Sequence, residues 1–234
     1  MSAQDYITTH FQSAEGWLWE NAVYTTELFM VSQRELGVEG VNLEIGVWKG
    51  KYLGAIIATS PDRQAYGVDV WLHNQADQVA RFLKEVSPAT EVTLRRANTF
   101  DYDAEMLRDA VDNKPVAFAS VDGSHEALPV ERDLTNVSRL LRAGGVIAID
   151  DFLNPLTLGV TEGAMAFLKG GVAIEPICWV ANKLFVTTAG WSDLYQIRLR
   201  MWLEGGAART MLGKESMDWA HHTTRLVGRP VLVF

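Results

Sequence analysis

The stretch ASVDGSHEALPVERDLTNVSRLLRAGGVIAIDDF, residues 119–152, decides the fold. Two apolar runs, one ending at Asp122 and the other at the adjacent Asp150 and Asp151, flank a segment whose apolar residues recur at helical spacing. A strand, a helix and a second strand in this order are typical of a crossover between parallel strands. The stretch therefore predicts a parallel sheet in which acidic side chains follow two strands at their carboxyl ends.

The same alternation continues on both sides of this stretch. Strands are predicted at 41–47, 65–71, 92–97, 116–122 and 144–150, each followed by a helical segment. Two later apolar segments, 173–180 and 183–189, are close enough in sequence to form an antiparallel hairpin. We therefore expect an α/β fold with a doubly wound, mostly parallel, seven-stranded sheet, an antiparallel C-terminal hairpin and extra helices at both ends.

The chain shows no repeat, low-complexity tract or linker, which favours a single domain over residues 1–234. Within it we expect a helical cap or lid at 1–40, a Rossmann-like core at 41–190, and a C-terminal helix and tail at 191–234.

The composition excludes several classes of function. The net charge of −8 and the pI of about 5.1 argue against a nucleic-acid partner. A single cysteine, Cys178, fits a reducing compartment. The start of the chain has no secretory pattern, and no apolar run is long enough to span a bilayer. We therefore expect a cytoplasmic protein that does not bind membranes.

Tryptophan is abundant, with eight residues. Five of them lie outside the predicted sheet and are expected to line a pocket or an interface: Trp17, Trp19, Trp191, Trp202 and Trp219. An interface would allow a homo-oligomer.

A glycine-containing loop, EIGVWKG (44–50), follows the first predicted strand. Ligands bind at the carboxyl ends of the strands in such sheets, and small residues let the backbone approach them closely. Asp69 follows about 20 residues later, where an acid can hold a ribose diol. The loop lacks the glycine pattern of a dinucleotide site, and a purely structural turn with a solvated acid remains the alternative.

The order EIGVWKG, GVDVW, RRANTF, VDGSH and LLRAGGVIAIDD resembles the class I S-adenosylmethionine-dependent methyltransferases over about residues 41–188. Within that class it is similar to the metal-dependent small-molecule O-methyltransferases of the catechol and macrolide-sugar types. The resemblance implies S-adenosylmethionine as cofactor and a small hydroxylated molecule as substrate. It implies these cofactor-binding residues: Glu44, Gly46, Gly50, Asp69, Thr99, Phe100 and Asp122. Tyr52 departs from the catechol-type pattern, which has a small hydroxyl residue near the methionine carboxylate.

Asp122, Asp150 and Asp151 are expected to converge, because the fourth and fifth strands should be neighbours. Clustered carboxylates repel one another unless a cation compensates, and oxygen ligands suit a hard divalent ion such as Mg²⁺. The sequence therefore predicts a metal site. The alternative is that one aspartate caps a helix while the others stay solvated.

His125 lies three residues after Asp122, where the resemblance places the catalytic base. An imidazole is suited to collecting a proton near neutral pH. Two alternatives stay open for this side chain: a bond to the backbone, or a fourth position on the metal.

The predicted function is methyl transfer from S-adenosylmethionine to a hydroxyl of a sugar, macrolide or polyphenol. Two alternatives keep the fold, namely a metal-independent methyltransferase with His125 acting alone, and a non-catalytic cofactor-binding scaffold. A nicotinamide-dependent oxidoreductase is disfavoured by the missing dinucleotide pattern.

Overall fold

The computed structural model describes residues 1–71, 75–205 and 222–234. Its helices are α1 (Ala3–Thr9), α2 (Glu20–Glu35), α3 (Lys51–Thr59), α4 (Gln75–Val86), α5 (Ala104–Ala110), α6 (Ala127–Ser138), α7 (Leu158–Lys169) and α8 (Ser192–Glu204). Its strands are β1 (Val41–Ile45), β2 (Ala65–Asp69), β3 (Val92–Arg96), β4 (Val116–Val121), β5 (Leu141–Ile149), β6 (Ile174–Val180), β7 (Lys183–Thr188), β8 (His222–Leu226) and β9 (Arg229–Val233). A short 3₁₀ turn covers Thr99–Asp101.

The strands form one sheet in the order β3-β2-β1-β4-β5-β7-β6-β9-β8. The first five strands are parallel, and β7 runs antiparallel between β5 and β6. The predicted α/β class, the mostly parallel sheet and the antiparallel hairpin are confirmed.

The described sheet has two strands more than the predicted seven, and both come from the C-terminal tail. β9 adds to β6 in parallel, and β8 pairs with β9, so the described sheet has nine strands. The tail HTTRLVGRPVLVF alternates too weakly for its strands to stand out, because β8 is almost fully exposed and lacks an apolar face.

The central strands are buried throughout, since helices cover both faces of the sheet. One apolar cluster packs α1, α2, α3, α4 and α8 on one face, and a second packs α5, α6 and α7 on the other. Within the sheet, the strands β2, β1, β4 and β5 are consecutive and parallel. Their carboxyl ends therefore lie at the same edge of the sheet. The loops at this edge carry the predicted site.

Among the helices that the structure describes, none combines the length and apolar character needed to cross a membrane.

Candidate active site

Gly46 lets the loop after β1 approach the end of β4. Its φ is +82°, and a Cβ at this position would lie 1.9 Å from the backbone oxygen of Asp122. No side chain fits in that gap, so the glycine is required for the two strand ends to meet. Gly50, also at φ +82°, immediately precedes α3. The predicted cofactor loop therefore lies directly against the predicted acidic cluster.

Asp69 is held in place by two backbone N–H groups at the end of β2. Trp48 N donates to one carboxylate oxygen at 2.7 Å, and Trp71 N donates to the other at 2.9 Å. Trp71 itself is fully buried, so its ring packs in the core and does not face a ligand. The fixed carboxylate lines a small pocket of about 250 Å³ and keeps lone pairs free for further donors.

Thr99 and Phe100 line the same small pocket, as does a residue that was not predicted, Asp133. Asp133 lies on α6 and is buried, and it accepts a hydrogen bond from Thr99 Oγ1 at 3.1 Å. Burial raises the pKa of Asp133 to about 6, although the hydrogen bond from Thr99 lowers it in part. In the sequence, the available signal was an acid in the middle of an amphipathic helix, next to apolar positions.

Glu44, the last residue but one of β1, is a buried carboxyl group, and its Oε2 atom has no hydrogen-bond partner among the described residues. Burial raises the pKa of Glu44 to about 8, although the charge of Lys183 lowers it in part. An unpaired buried oxygen is costly unless a ligand supplies a donor. An ammonium group, such as the one in the methionine part of S-adenosylmethionine, matches this oxygen in charge and hydrogen bonding.

Lys183 is the main functional side chain that the sequence reasoning missed. It begins β7 and is almost completely buried, with Nζ 2.7 Å from Asp150 Oδ1 and 4.2 Å from the centre of the Tyr52 ring. Tyr52 in turn shares a hydrogen bond of 2.8 Å with Thr26 Oγ1. A charged residue opening the apolar run KLFVTTA was the signal, and the pairing of β7 with β5 brings it to Asp150.

The carboxyl groups of Asp122 and Asp150 differ in their electrostatic surroundings. Burial would raise the pKa of Asp150, but the Lys183 ammonium and a hydrogen bond from Asp122 hold it below its usual range. Burial and the neighbouring Asp150 charge raise the pKa of Asp122 well above its usual range. The Asn182 amide donates to Asp150 at 2.8 Å and to Asp151 at 3.2 Å. The three predicted acids therefore do lie together, joined by Asn182 and Lys183.

Donor atoms from Asp122, His125 and Asp151 all lie within 4.8 Å of one another. His125 is half exposed, and its Nε2 is 3.5 Å from Asp151 Oδ2. The two carboxylates suit a hard divalent cation such as Mg²⁺, so the residues present fit the expected metal, and the His125 imidazole lies beside them. Asp150 lies outside this group of three because its Oδ1 faces Lys183.

A larger cleft of about 810 Å³ opens beside Asp151. Trp17 and Trp19 lie on its wall, in agreement with the prediction that these tryptophans line a pocket or an interface. Trp191 and Trp202 are partly buried and pack against the core, so they do not belong to this cleft. Trp219 lies outside the described residues.

Comparison with known proteins finds a family match over part of the chain. Residues 43–152 match a family model described as a methyltransferase domain. A comparison with curated protein sequences finds no significant match.

Several solved structures share the fold. The O-methyltransferase TomG from Streptomyces achromogenes, involved in tomaymycin synthesis, is 19% identical with a TM-score of 0.55, over 70% of this chain and 79% of that chain. CalS11, a TDP-rhamnose 3'-O-methyltransferase, is 16% identical with a TM-score of 0.56, over 80% and 86%. MycE of the mycinamycin pathway, solved with Mg and SAH, is 20% identical with a TM-score of 0.58, over 81% and 55%.

The family match spans the loop after β1 and all three acids of the cluster, and the solved structures share the arrangement of strands around them. Residues 43–152 are therefore similar to a methyltransferase domain, and the chain shares the fold of the solved O-methyltransferases, which confirms the predicted resemblance.

Proposed function

We propose that the chain transfers a methyl group from S-adenosylmethionine to a hydroxyl group of a small molecule, with a divalent cation at the acidic cluster and His125 as base. The observation that carries the proposal is the convergence of Asp122, His125 and Asp151 donors within 4.8 Å, next to the glycine loop of a methyltransferase domain. TomG, an O-methyltransferase solved in complex with SAM, and MycE, a methyltransferase solved with Mg and SAH, share the fold and support the same chemistry here.

The cofactor residues divide by chemistry. Glu44 offers its unpaired oxygen to the methionine ammonium, while Gly46 and Gly50 leave room for the backbone to contact the ligand. Asp69, fixed by two backbone N–H groups, accepts hydrogen bonds from the ribose hydroxyls. Thr99 and Phe100 border the adenine in the small pocket, whose floor includes Asp133. Asp122 closes the methionine end beside Gly46.

Asp122 and Asp151 are the proposed carboxylate ligands for Mg²⁺, and Asp150 orients them through Asn182 and its own bond with Asp122. A bound divalent cation lowers the pKa of a hydroxyl group and fixes its direction. His125 takes the proton released from that hydroxyl. Asp151, 3.5 Å away, orients the imidazole and stabilises its positive charge once it is protonated.

A second candidate keeps the methyl transfer and dispenses with the metal. It is favoured by Lys183, whose ammonium already compensates the charge of Asp150. In that case His125 and Asp151 would act as a base and its orienting acid without a cation.

Two measurements test the proposal. Calorimetric titration with S-adenosylhomocysteine should show binding that Glu44→Gln and Asp69→Asn each weaken about tenfold, which corresponds to one lost hydrogen bond to a charged group. Methyl transfer from radiolabelled S-adenosylmethionine to a panel of neutral glycosides and polyphenols should stop with chelator and return with Mg²⁺. Full activity after metal removal would select the second candidate, and cofactor binding without transfer to any acceptor would indicate a scaffold.

A further inference from the structure

The larger cleft is continuous with the proposed catalytic centre. Trp17, Asp151 and Asn182 line both the 810 Å³ cleft and the adjoining cavity that contains Asp122 and His125. A molecule in the cleft can therefore present a hydroxyl group to Asp151 while the rest of it stays between the walls. The volume lies in the range of sites that hold drug-sized ligands.

The segment that immediately precedes α2 supplies an aromatic wall of the cleft. Trp17 is 80% exposed and Trp19 is 61% exposed, and only one residue separates them. The preceding Gly16 has a φ of +142°, and a Cβ at this position would lie 3.4 Å from Lys51 Cβ and 3.7 Å from the Trp48 ring, so this segment runs alongside the loop after β1. Exposed indole rings on the wall of a cleft offer flat apolar surfaces on which sugar or aromatic rings stack.

Further apolar lining of the cleft comes from the loop after β5 and from β6. Leu153, 51% exposed, faces this space together with Phe152 and Trp179. The lining of the cleft thus combines these apolar side chains with four polar ones, Asn21, Asp151, Asn154 and Asn182.

The charge of the cleft selects among ring-bearing ligands. Of the described residues that line the two adjoining spaces, none is lysine or arginine. The charged residues that line them are acidic, namely Asp69, Asp122, Asp150 and Asp151. The proposed divalent cation compensates Asp122 and Asp151, and Lys183 pairs with Asp150. A diphosphate placed here would still find no basic side chain among the described lining residues to bind it, and it would face the charge of Asp69.

Building on the proposed function, we propose that the cleft takes an uncharged acceptor whose flat apolar body stacks on Trp17 and Trp19, and that it rejects nucleotide-diphosphate sugars. Trp17 and Trp19 are then specificity-determining residues. Where the methylated hydroxyl belongs to a sugar, rejection of the nucleotide-diphosphate form means that the sugar is already attached to its body when it is methylated.

A matched pair of probes tests this inference. Quercetin 3-O-rhamnoside and TDP-rhamnose carry the same sugar on a neutral flat body and on an anionic diphosphate, respectively. Calorimetry on the full chain saturated with S-adenosylhomocysteine should give at least tenfold tighter binding of the neutral glycoside. Equal affinity, tighter binding of TDP-rhamnose, or no binding of the glycoside overturns the inference.

Variants connect the preference to the indole rings. Trp17→Ala and Trp19→Ala should each weaken glycoside binding about tenfold, since stacking and burial of an indole contribute at this scale. Trp19 lines only the larger cleft, so Trp19→Ala should keep its affinity for S-adenosylhomocysteine. Met201→Ala, at a 68% exposed apolar position on α8 outside the cleft, is the control and should bind the glycoside as the parent does. Unchanged glycoside binding by both tryptophan variants also overturns the inference.

The cofactor titration separates this inference from the proposed function. If S-adenosylhomocysteine does not bind, the proposed function fails. If it binds and the two rhamnosides do not differ, only the acceptor inference fails.

Discussion

Replacing Lys183 by methionine removes the ammonium that pairs with Asp150 while keeping a long, unbranched side chain in the core. The two groups are 2.7 Å apart, with the Lys183 side chain 1% and the Asp150 side chain 5% exposed. At an effective dielectric constant of about 20, unit charges at this separation attract by about 6 kcal/mol, before the cost of removing both from water. Breaking a buried pair by deleting one partner typically costs about 3–5 kcal/mol, because the remaining charge is left buried.

We therefore expect Lys183→Met to lower the free energy of unfolding by about 3–5 kcal/mol. The assay is urea denaturation followed by circular dichroism, in the presence of chelator so that no metal compensates Asp150. Arg34→Met is the matched control, since the Arg34–Asp62 pair at 3.3 Å has both side chains more than half exposed. It should cost less than about 1 kcal/mol.

A double variant keeps the reasoning testable if Lys183→Met fails to fold. Adding Asp150→Asn removes the stranded charge, so the pair of changes should recover much of the lost stability. A loss below about 1 kcal/mol for Lys183→Met, or no recovery in the double variant, would refute the reasoning.

Three further predictions follow from the site. Because burial raises the pKa of Asp133 from 3.8 to about 6, the folded state keeps this proton to higher pH than the unfolded state. As the pH rises from about 4 to about 6, the free energy of unfolding should fall by up to about 3 kcal/mol. Denaturation of Asp133→Asn over the same pH range should show a smaller fall. Gly46→Ala should cost about 2–4 kcal/mol in urea denaturation, because its Cβ would collide with Asp122 O, whereas Gly171→Ala, with open space around a φ of +77°, should cost about 1 kcal/mol. His125→Asn should reduce the rate of methyl transfer about 10²–10⁴-fold while leaving S-adenosylhomocysteine affinity unchanged, and an unchanged rate would exclude His125 as base.

The strand–helix alternation predicted the sheet because each buried parallel strand needs a continuous apolar run, as in VAFASV and GVIAI. The same topology predicted that Asp122, Asp150 and Asp151 would meet. The tail strands could not be predicted in this way, since β8 carries exposed polar residues and depends on its pairing with β9.

The local chemistry of the acids depends on contacts across the sheet. Lys183 is 33 residues from Asp150 in sequence and reaches it through the pairing of Ile149 with Leu184. No spacing rule links these two residues before the strand order is known. Asp133 likewise enters the small pocket through the packing of α6 against the 3₁₀ turn at Thr99–Asp101. Sequence patterns thus locate the edge of the sheet, and tertiary pairing decides which side chains share it.

The most direct test of the proposed centre is a crystal structure grown with S-adenosylhomocysteine and Mn²⁺, with anomalous scattering data collected to locate the metal. The proposal predicts one anomalous peak within about 2.5 Å of carboxylate oxygens of Asp122 and Asp151, with the cofactor sulfur beside it and the ribose on Asp69. A cofactor bound in this way with no peak at the acidic cluster, or with a peak elsewhere, would contradict metal-assisted transfer at this site.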